Sequence, residues 1–212
     1  AGYDRSRAPW KPWVVLEFHN EQGWGGRPDK DGIDGQTAHM LNMANIPAEE
    51  IEIEHPLQVL AYGFAPDSEG AGMFRGALGM VRAYRFLMDD TLLQMRSERM
   101  KYQPYGLHGG KSPRPTQILL TQGGVTRSMV SKFITTVHRG DVREVRWPGA
   151  GGWGTPTQRD PRLVLEDMVA EKVTRERARE VYGVVVDGMR HRVDVSATTR
   201  LRQGMDKAPA SP

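Results

Sequence analysis

The sequence has no cysteine. That excludes disulfides, thiolate metal sites and cysteine nucleophiles, and it fits a reducing, cytoplasmic setting. No apolar run approaches the roughly 18 residues that span a bilayer, and no signal peptide is visible, so no membrane role is expected. Standard nucleotide motifs are missing as well: no G-x-x-x-x-G-K-[ST], and no G-x-G-x-x-G opening a helix after a strand. Gly-x-Ser-x-Gly is absent, and no serine has a base near it in sequence, so no acyl-transfer nucleophile stands out. There is no internal repeat. The chain opens Ala1-Gly2-Tyr3 without a methionine, as expected of a processed product or a piece of a longer polypeptide.

What is present describes a soluble globular protein. The 212 residues are 38% hydrophobic and 26% charged, enough for one large domain or two small ones with a real core. Charge is uneven. Residues 1–74 carry 5 basic and 12 acidic side chains, whereas residues 75–147 carry 13 basic and 5 acidic. Two halves of opposite sign can face each other or other subunits. With no nucleic-acid motif, a nucleic-acid partner is not expected.

The pattern predicts an α+β chain with a mostly antiparallel β body, a short C-terminal helical section and a hairpin. Residues 1–147 form the β-rich body and 148–212 a glycine-rich corner, two helices, the hairpin and a short tail. After an irregular lead-in over 1–12, a buried strand is expected at Trp13–Phe18. Residues 20–35 read as loop because six glycines and prolines interrupt them. Glu50-Ile-Glu-Ile-Glu54 has the period of a half-exposed strand. Further strands are expected at 56–64, along 73–88 with an interruption at Gly76 and Gly79, and at 91–96, 116–120, 133–137 and 142–147. Asp160 and Pro161 mark a helix start, Thr174 caps a second helix, and Asp187-Gly188 signals a two-residue hairpin turn. Ser196 starts a last short helix through Arg202.

The chemistry-bearing residues are few. Asp29, Asp31, Asp34 and His39 crowd one glycine-rich loop. Such oxygen and imidazole ligands can hold a divalent metal, although Asp and Gly also simply build turns, which is the preferred account. Gly25-Gly26-Arg27 can cradle an anion with backbone N–H groups and a guanidinium. Glu17, His19 and Glu21 share a face if their strand continues, but a surface strand end explains them better. Gly149-Ala-Gly-Gly-Trp-Gly154 needs unusual backbone angles or the close approach of another backbone, and a buried Trp153 would fix it as a packed corner.

The order of motifs resembles the hydantoinase B/oxoprolinase family, which includes N-methylhydantoinase, 5-oxoprolinase and caprolactamase subunits and acetone and acetophenone carboxylase large subunits. The matching pieces are Gly25-Gly26-Arg27, Asp31-Gly-Ile-Asp-Gly35, Asn45-Ile-Pro-Ala-Glu49, Pro66-Asp-Ser-Glu-Gly-Ala-Gly72 running on to Gly79, Pro104-Tyr-Gly-Leu-His-Gly-Gly110, the glycine run, Arg159-Asp-Pro161 and Tyr182-Gly-Val-Val185. They span roughly residues 10 to 203. Ala77, Ala150 and Thr155 depart from the family pattern.

The resemblance implies the C-terminal half of a B-type subunit in an ATP-dependent complex. That complex would hydrolyse a cyclic amide through a phosphorylated intermediate or, in the carboxylase branch, carboxylate a ketone. It implies an A-type ATP-binding subunit and the N-terminal half of the B-type subunit as partners. ATP and a divalent metal (Zn, Mn or Mg) would sit in those partner chains, with no metal held here. No catalytic residue carries over. Gly25, Gly26, Arg27, Asp31, Asp34 and His39 remain as substrate-binding or interface candidates, and a purely structural role for this chain is the rival expectation.

Overall fold

A computed structural model describes residues 1–6, 8–16, 23–37, 44–187 and 192–207. Every paired strand in it is antiparallel. The largest sheet has five strands: β3 (Leu57–Phe64), β4 (Met80–Phe86), β9 (Val142–Arg146), β6 (Gln117–Gln122) and β7 (Val125–Ser128), in that spatial order. A separate ribbon pairs β5 (Thr91–Arg96) with β8 (Lys132–Val137). Alternation sets which faces meet. Leu93, Met95 and Val137 of the ribbon join Tyr84, Ile118 and Val145 of the large sheet in one apolar cluster, with Trp13 and Ile51 added from outside.

A second cluster belongs almost wholly to the C-terminal part. Val164 of α2 (Pro161–Val169), Ala178 of α3 (Arg175–Glu180) and Tyr182 pack with Val184, Val186 and Ala71. Asp160 caps α2 by accepting from the Arg162 N–H (2.8 Å), and Thr174 caps α3 by accepting from the Arg177 N–H (3.2 Å). The final element is α4 (Val195–Lys207). No helix of the described residues is long and apolar enough to cross a membrane.

Several elements differ from the sequence expectation. Residues 48–54 form a helix, α1 (Ala48–Glu54), not a strand. It follows Pro47, and Glu49 and Glu50 stand in its first turn, where the helix dipole favours acids. Ile51 is buried while Ile53 is 73% exposed, so the Glu–Ile alternation never had two isoleucines on one buried face. The lead-in is not irregular: β1 (Gly2–Asp4) pairs with β2 (Lys11–Trp13). The strand foreseen at 13–18 therefore ends at Trp13. Val14 and Leu16 are exposed, and residues 17–22 lie outside the described ones.

The strand expected from Met73 begins only at Met80, because residues 73–79 are taken up in glycine-mediated packing. β7 was not foreseen: all four of its residues are exposed, so it shows no alternation. Its signal was Gly123-Gly124, both at positive φ, the two-residue turn joining Gln122 to Val125. The late hairpin exists, β10 (Val186–Asp187) with β11 (Arg192–Val193). Asp187 pairs with Arg192, so it is a strand residue and not the turn.

Candidate functional site

Four backbone segments meet where the β body joins the helices: 23–36, 69–79, 105–111 and 149–154. The glycine run is the strut between them. The Gly26 N–H donates to Gly151 (2.9 Å), Gly70 to Ala150 (2.9 Å) and Leu107 to Gly152 (2.9 Å), while Phe74 and Trp153 exchange both their backbone bonds (3.0 and 2.9 Å). Backbones lie this close only where no Cβ intervenes. A Cβ on Gly76 would overlap the Ala150 carbonyl, and one on Gly72 would sit 2.7 Å from both Phe74 O and Trp153 N. Trp153 is half-buried, not buried as expected. Its ring lies against Phe74 (6.3 Å) and His108 (5.0 Å).

Beneath this strut lies a network of buried and partly buried ions. Arg75 is the first hub. Its two terminal nitrogens donate to the two oxygens of Asp34 (2.9 and 3.0 Å), and its Nε to Asp167 Oδ1 (3.0 Å). Arg159, only 1% exposed, is the second. It forks onto both oxygens of Asp31 (2.6 and 2.7 Å) and reaches Asp167 Oδ2 (2.8 Å). Lys172 closes the network on Asp34 Oδ2 (2.9 Å). Three carboxylates thus face three cations.

Backbone groups add two further donors: Arg75 N–H donates to Asp31 and Leu78 N–H to Asp34, each at 2.9 Å. Burial on its own would raise the Asp34 pKa. The hydrogen bonds and charge of Arg75, the Leu78 N–H and Lys172 outweigh it and hold this carboxyl below its ordinary range.

A second cluster ties the 66–72 turn to α3. Glu69, fully buried, accepts from Arg177 Nε (2.6 Å) and from the Tyr182 hydroxyl (2.9 Å) through one oxygen. Here burial wins over both partners, and the Glu69 pKa is raised. Asp67, at φ 58°, takes the N–H and hydroxyl of Thr174 (both 2.7 Å). From α4, Arg202 donates to the carbonyls of Arg159 (2.7 Å) and Tyr182 (3.1 Å).

The family model for hydantoinase B/oxoprolinase matches residues 1–156. The chain belongs to this family. A putative B-type component of a D-/L-hydantoinase from a Pseudomonas species is 29% identical over 90% of the chain, and the match covers 32% of that relative. Two solved structures share the fold. A nucleotide-free acetone carboxylase superposes with TM-score 0.78 at 18% identity, covering 91% of this chain and 31% of that one. The ATP-dependent caprolactamase from Pseudomonas jessenii gives 0.76 at 24%, covering 95% and 36%. The chain spans a quarter to a third of the length of the first curated relatives it matches.

The hydantoinase B motifs now have physical roles. The two aspartates of Asp31-Gly-Ile-Asp-Gly35, Arg75, and the arginine of Arg159-Asp-Pro161 form the ion network. Asp67, Glu69 and Tyr182 form its neighbour. Of the sequence candidates, Asp31 and Asp34 are brought together by this chemistry. Gly26 is held by Gly151, Gly25 is exposed, and half-buried Arg27 donates to the Asp31 carbonyl (3.1 Å). His39 and His19 lie outside the described residues.

Asp167, Lys172 and Arg177 escaped the sequence reading. Asp167 had a signal: it sits three residues after buried Val164, on the inward face of α2, where an acid needs a cation. The described residues do not fit a divalent ion. Each oxygen of Asp31 and Asp34 already accepts from a cation, and among the described residues no three His, Cys, Asp or Glu side chains gather as metal ligands.

Proposed function

We propose that this chain is the C-terminal part of a B-type subunit in an ATP-dependent complex that hydrolyses a cyclic amide through a phosphorylated intermediate. In this reading ATP belongs to an A-type partner subunit. A divalent metal (Zn, Mn or Mg) belongs to partner chains, including the upstream part of the B-type subunit, and the setting is cytoplasmic. The supporting observation is what the ion network does. It spends Asp31 and Asp34 on anchoring the 23–37 loop and leaves Gly25 at the surface with Arg27 behind it. The chain then acts as a rigid support that presents Gly25-Gly26-Arg27 to a substrate or to a neighbouring subunit, while reacting groups come from elsewhere. An unstrained amide resists water because of its resonance, which is why such a hydrolysis draws on ATP. A ketone carboxylase subunit is the second reading, supported by 27% identity over 86% of the chain to an acetophenone carboxylase delta subunit.

The test is co-purification followed by an activity assay. Tagged chain should retain an A-type subunit and the upstream B-type polypeptide. The complex should hydrolyse ATP when given a cyclic amide, and not when given a ketone with bicarbonate. Stimulation by the ketone and bicarbonate alone selects the carboxylase reading. Failure to retain any such partner rejects both.

A further inference from the structure

The loop 99–115 has a property that the ion network does not use. It carries exposed aromatic and aliphatic side chains, yet its backbone is fixed. Tyr102 is 72% exposed, Tyr105 77% and Leu107 51%. The Leu107 N–H donates to Gly152 O (2.9 Å), Lys111 N–H to Ala71 O (2.7 Å), Gly152 N–H to Lys111 O (3.0 Å) and Gly154 N–H to Leu107 O (2.9 Å). Thr116 closes the base of the loop, its N–H on Arg99 O (3.0 Å) and its hydroxyl on Glu98 O (2.7 Å). Bridge pairing of Leu107 with Trp153, and of Trp153 with Phe74, puts these three side chains on one side of the glycine strut. The result is an apolar ledge whose ordering cost was met during folding, the condition under which exposed aromatics bind well.

The loop's own formal charge is one-sided, with Arg114 approaching Asp67 (4.0 Å) and exposed Glu98 standing just before the loop. Residues 99–114 contain Arg99, Lys101, Lys111 and Arg114 and no acid, and all four cations are exposed. In sequence they flank the apolar centre, as a polar rim flanks the core of a protein–protein interface. Such a face calls for a partner surface with apolar pockets and acidic surroundings. The chain's own length suggests which one. It spans only a quarter to a third of its B-type relatives, so a complete subunit has about twice as much polypeptide again to pack.

We propose that the ledge formed by Tyr105, Leu107, Phe74 and Trp153, with the cations of 99–114 around it, docks the upstream portion of the B-type subunit. The proposal rests on the reading of this chain as part of such a subunit. Tyr105 and Leu107 are the anchors, since the fixed loop offers them at little further entropic cost.

The experiment co-expresses the 212-residue chain with the polypeptide carrying the upstream part of the subunit from the same organism. It compares wild type with Tyr105→Ser/Leu107→Ser and with Tyr105→Phe. Binding should weaken at least tenfold in the double variant and stay near wild type in Tyr105→Phe. The isolated double variant should melt with the isolated wild type, which separates docking from folding. Hydrogen exchange over 102–111 should slow only in the complex. The proposal is overturned if the double variant binds as wild type, if 102–111 exchange as fast in the complex as alone, or if the two polypeptides do not associate. It also fails if the isolated chain covers this loop by self-association, or if the loop retains nuclease-sensitive RNA. Association lost through this face while substrate-dependent ATP hydrolysis is missing in the wild-type complex would sink the functional reading alone.

Discussion

Removing Arg159 should cost this chain more than almost any other single truncation. Its guanidinium is buried and holds Asp31 by two bonds and Asp167 by one. Take Arg159→Met, which keeps much of the volume. Asp31 is 28% exposed and can recover part of its solvation, so its share of the loss is discounted. Asp167 is buried and keeps only Arg75. Breaking a buried pair from one side costs about 3–5 kcal/mol, and the partial exposure of Asp31 places this case near the lower end. For a chain of this size that lowers the melting temperature by roughly 10 °C. Urea unfolding followed by tryptophan fluorescence measures it directly.

Two companions sharpen the test. Arg159→Lys should fall in between, because an ammonium keeps the charge but cannot fork onto a carboxylate. Arg159→Met with Asp167→Leu should regain part of the loss, since Arg75 would still hold Asp34 and only the partly exposed Asp31 would lack its cation. If Arg159→Met unfolds within about 0.5 kcal/mol of wild type, or if adding Asp167→Leu makes matters worse, the network does not carry the stability argued here.

Other expectations follow from the same geometry. Gly76→Ala should cost about 3 kcal/mol or more in urea unfolding, because its Cβ overlaps the Ala150 backbone, which cannot swing away. Gly63→Ala, with open space around it, should stay near wild type. The Asp34 contribution is fully present above its unfolded pKa near 3.8 and is lost as pH falls through its lower folded value. The stability gap between wild type and Asp34→Asn should therefore be widest at neutral pH and shrink below pH 3.8, and a gap that widens in acid contradicts the assignment. Thr174→Ala removes both a helix cap and the hydroxyl bond to Asp67, and should lower stability by about 1–2 kcal/mol in calorimetry.

The strands β3, β5, β8 and β9 and the start of α2 were legible because local signals decide them: β-branched runs, alternation, and the Asp160-Pro161 cap. α1 was misread because Glu–Ile alternation carries the same letters whether one isoleucine or both are buried. Pro47 and the early glutamates were the better guide. The glycine run could be read as a packed corner from its composition. What packs on it could not be, since Gly26, Gly72 and Gly110 approach from far along the chain. The ion network was hidden for the same reason. Asp31 and Asp34 were visible as acids in a loop, but their partners lie up to 138 residues away. Only the buried position of Asp167 on an apolar helix face hinted that the acids were spoken for.

Those long separations bear on how the chain reaches its fold. Arg159 meets Asp31 across 128 residues, and Lys172 meets Asp34 across 138. Contacts of such span form late, because a long loop must close before they return anything. During synthesis, Asp31, Asp34 and Arg75 leave the ribosome well before Arg159, Asp167 and Lys172. Until those arrive, the 23–37 loop has only Arg75 of its three countercharges and remains open. Residues 159–172 thus decide when the 23–37 loop locks, and a chain cut short before Arg159 would keep that loop unlatched for proteases to find.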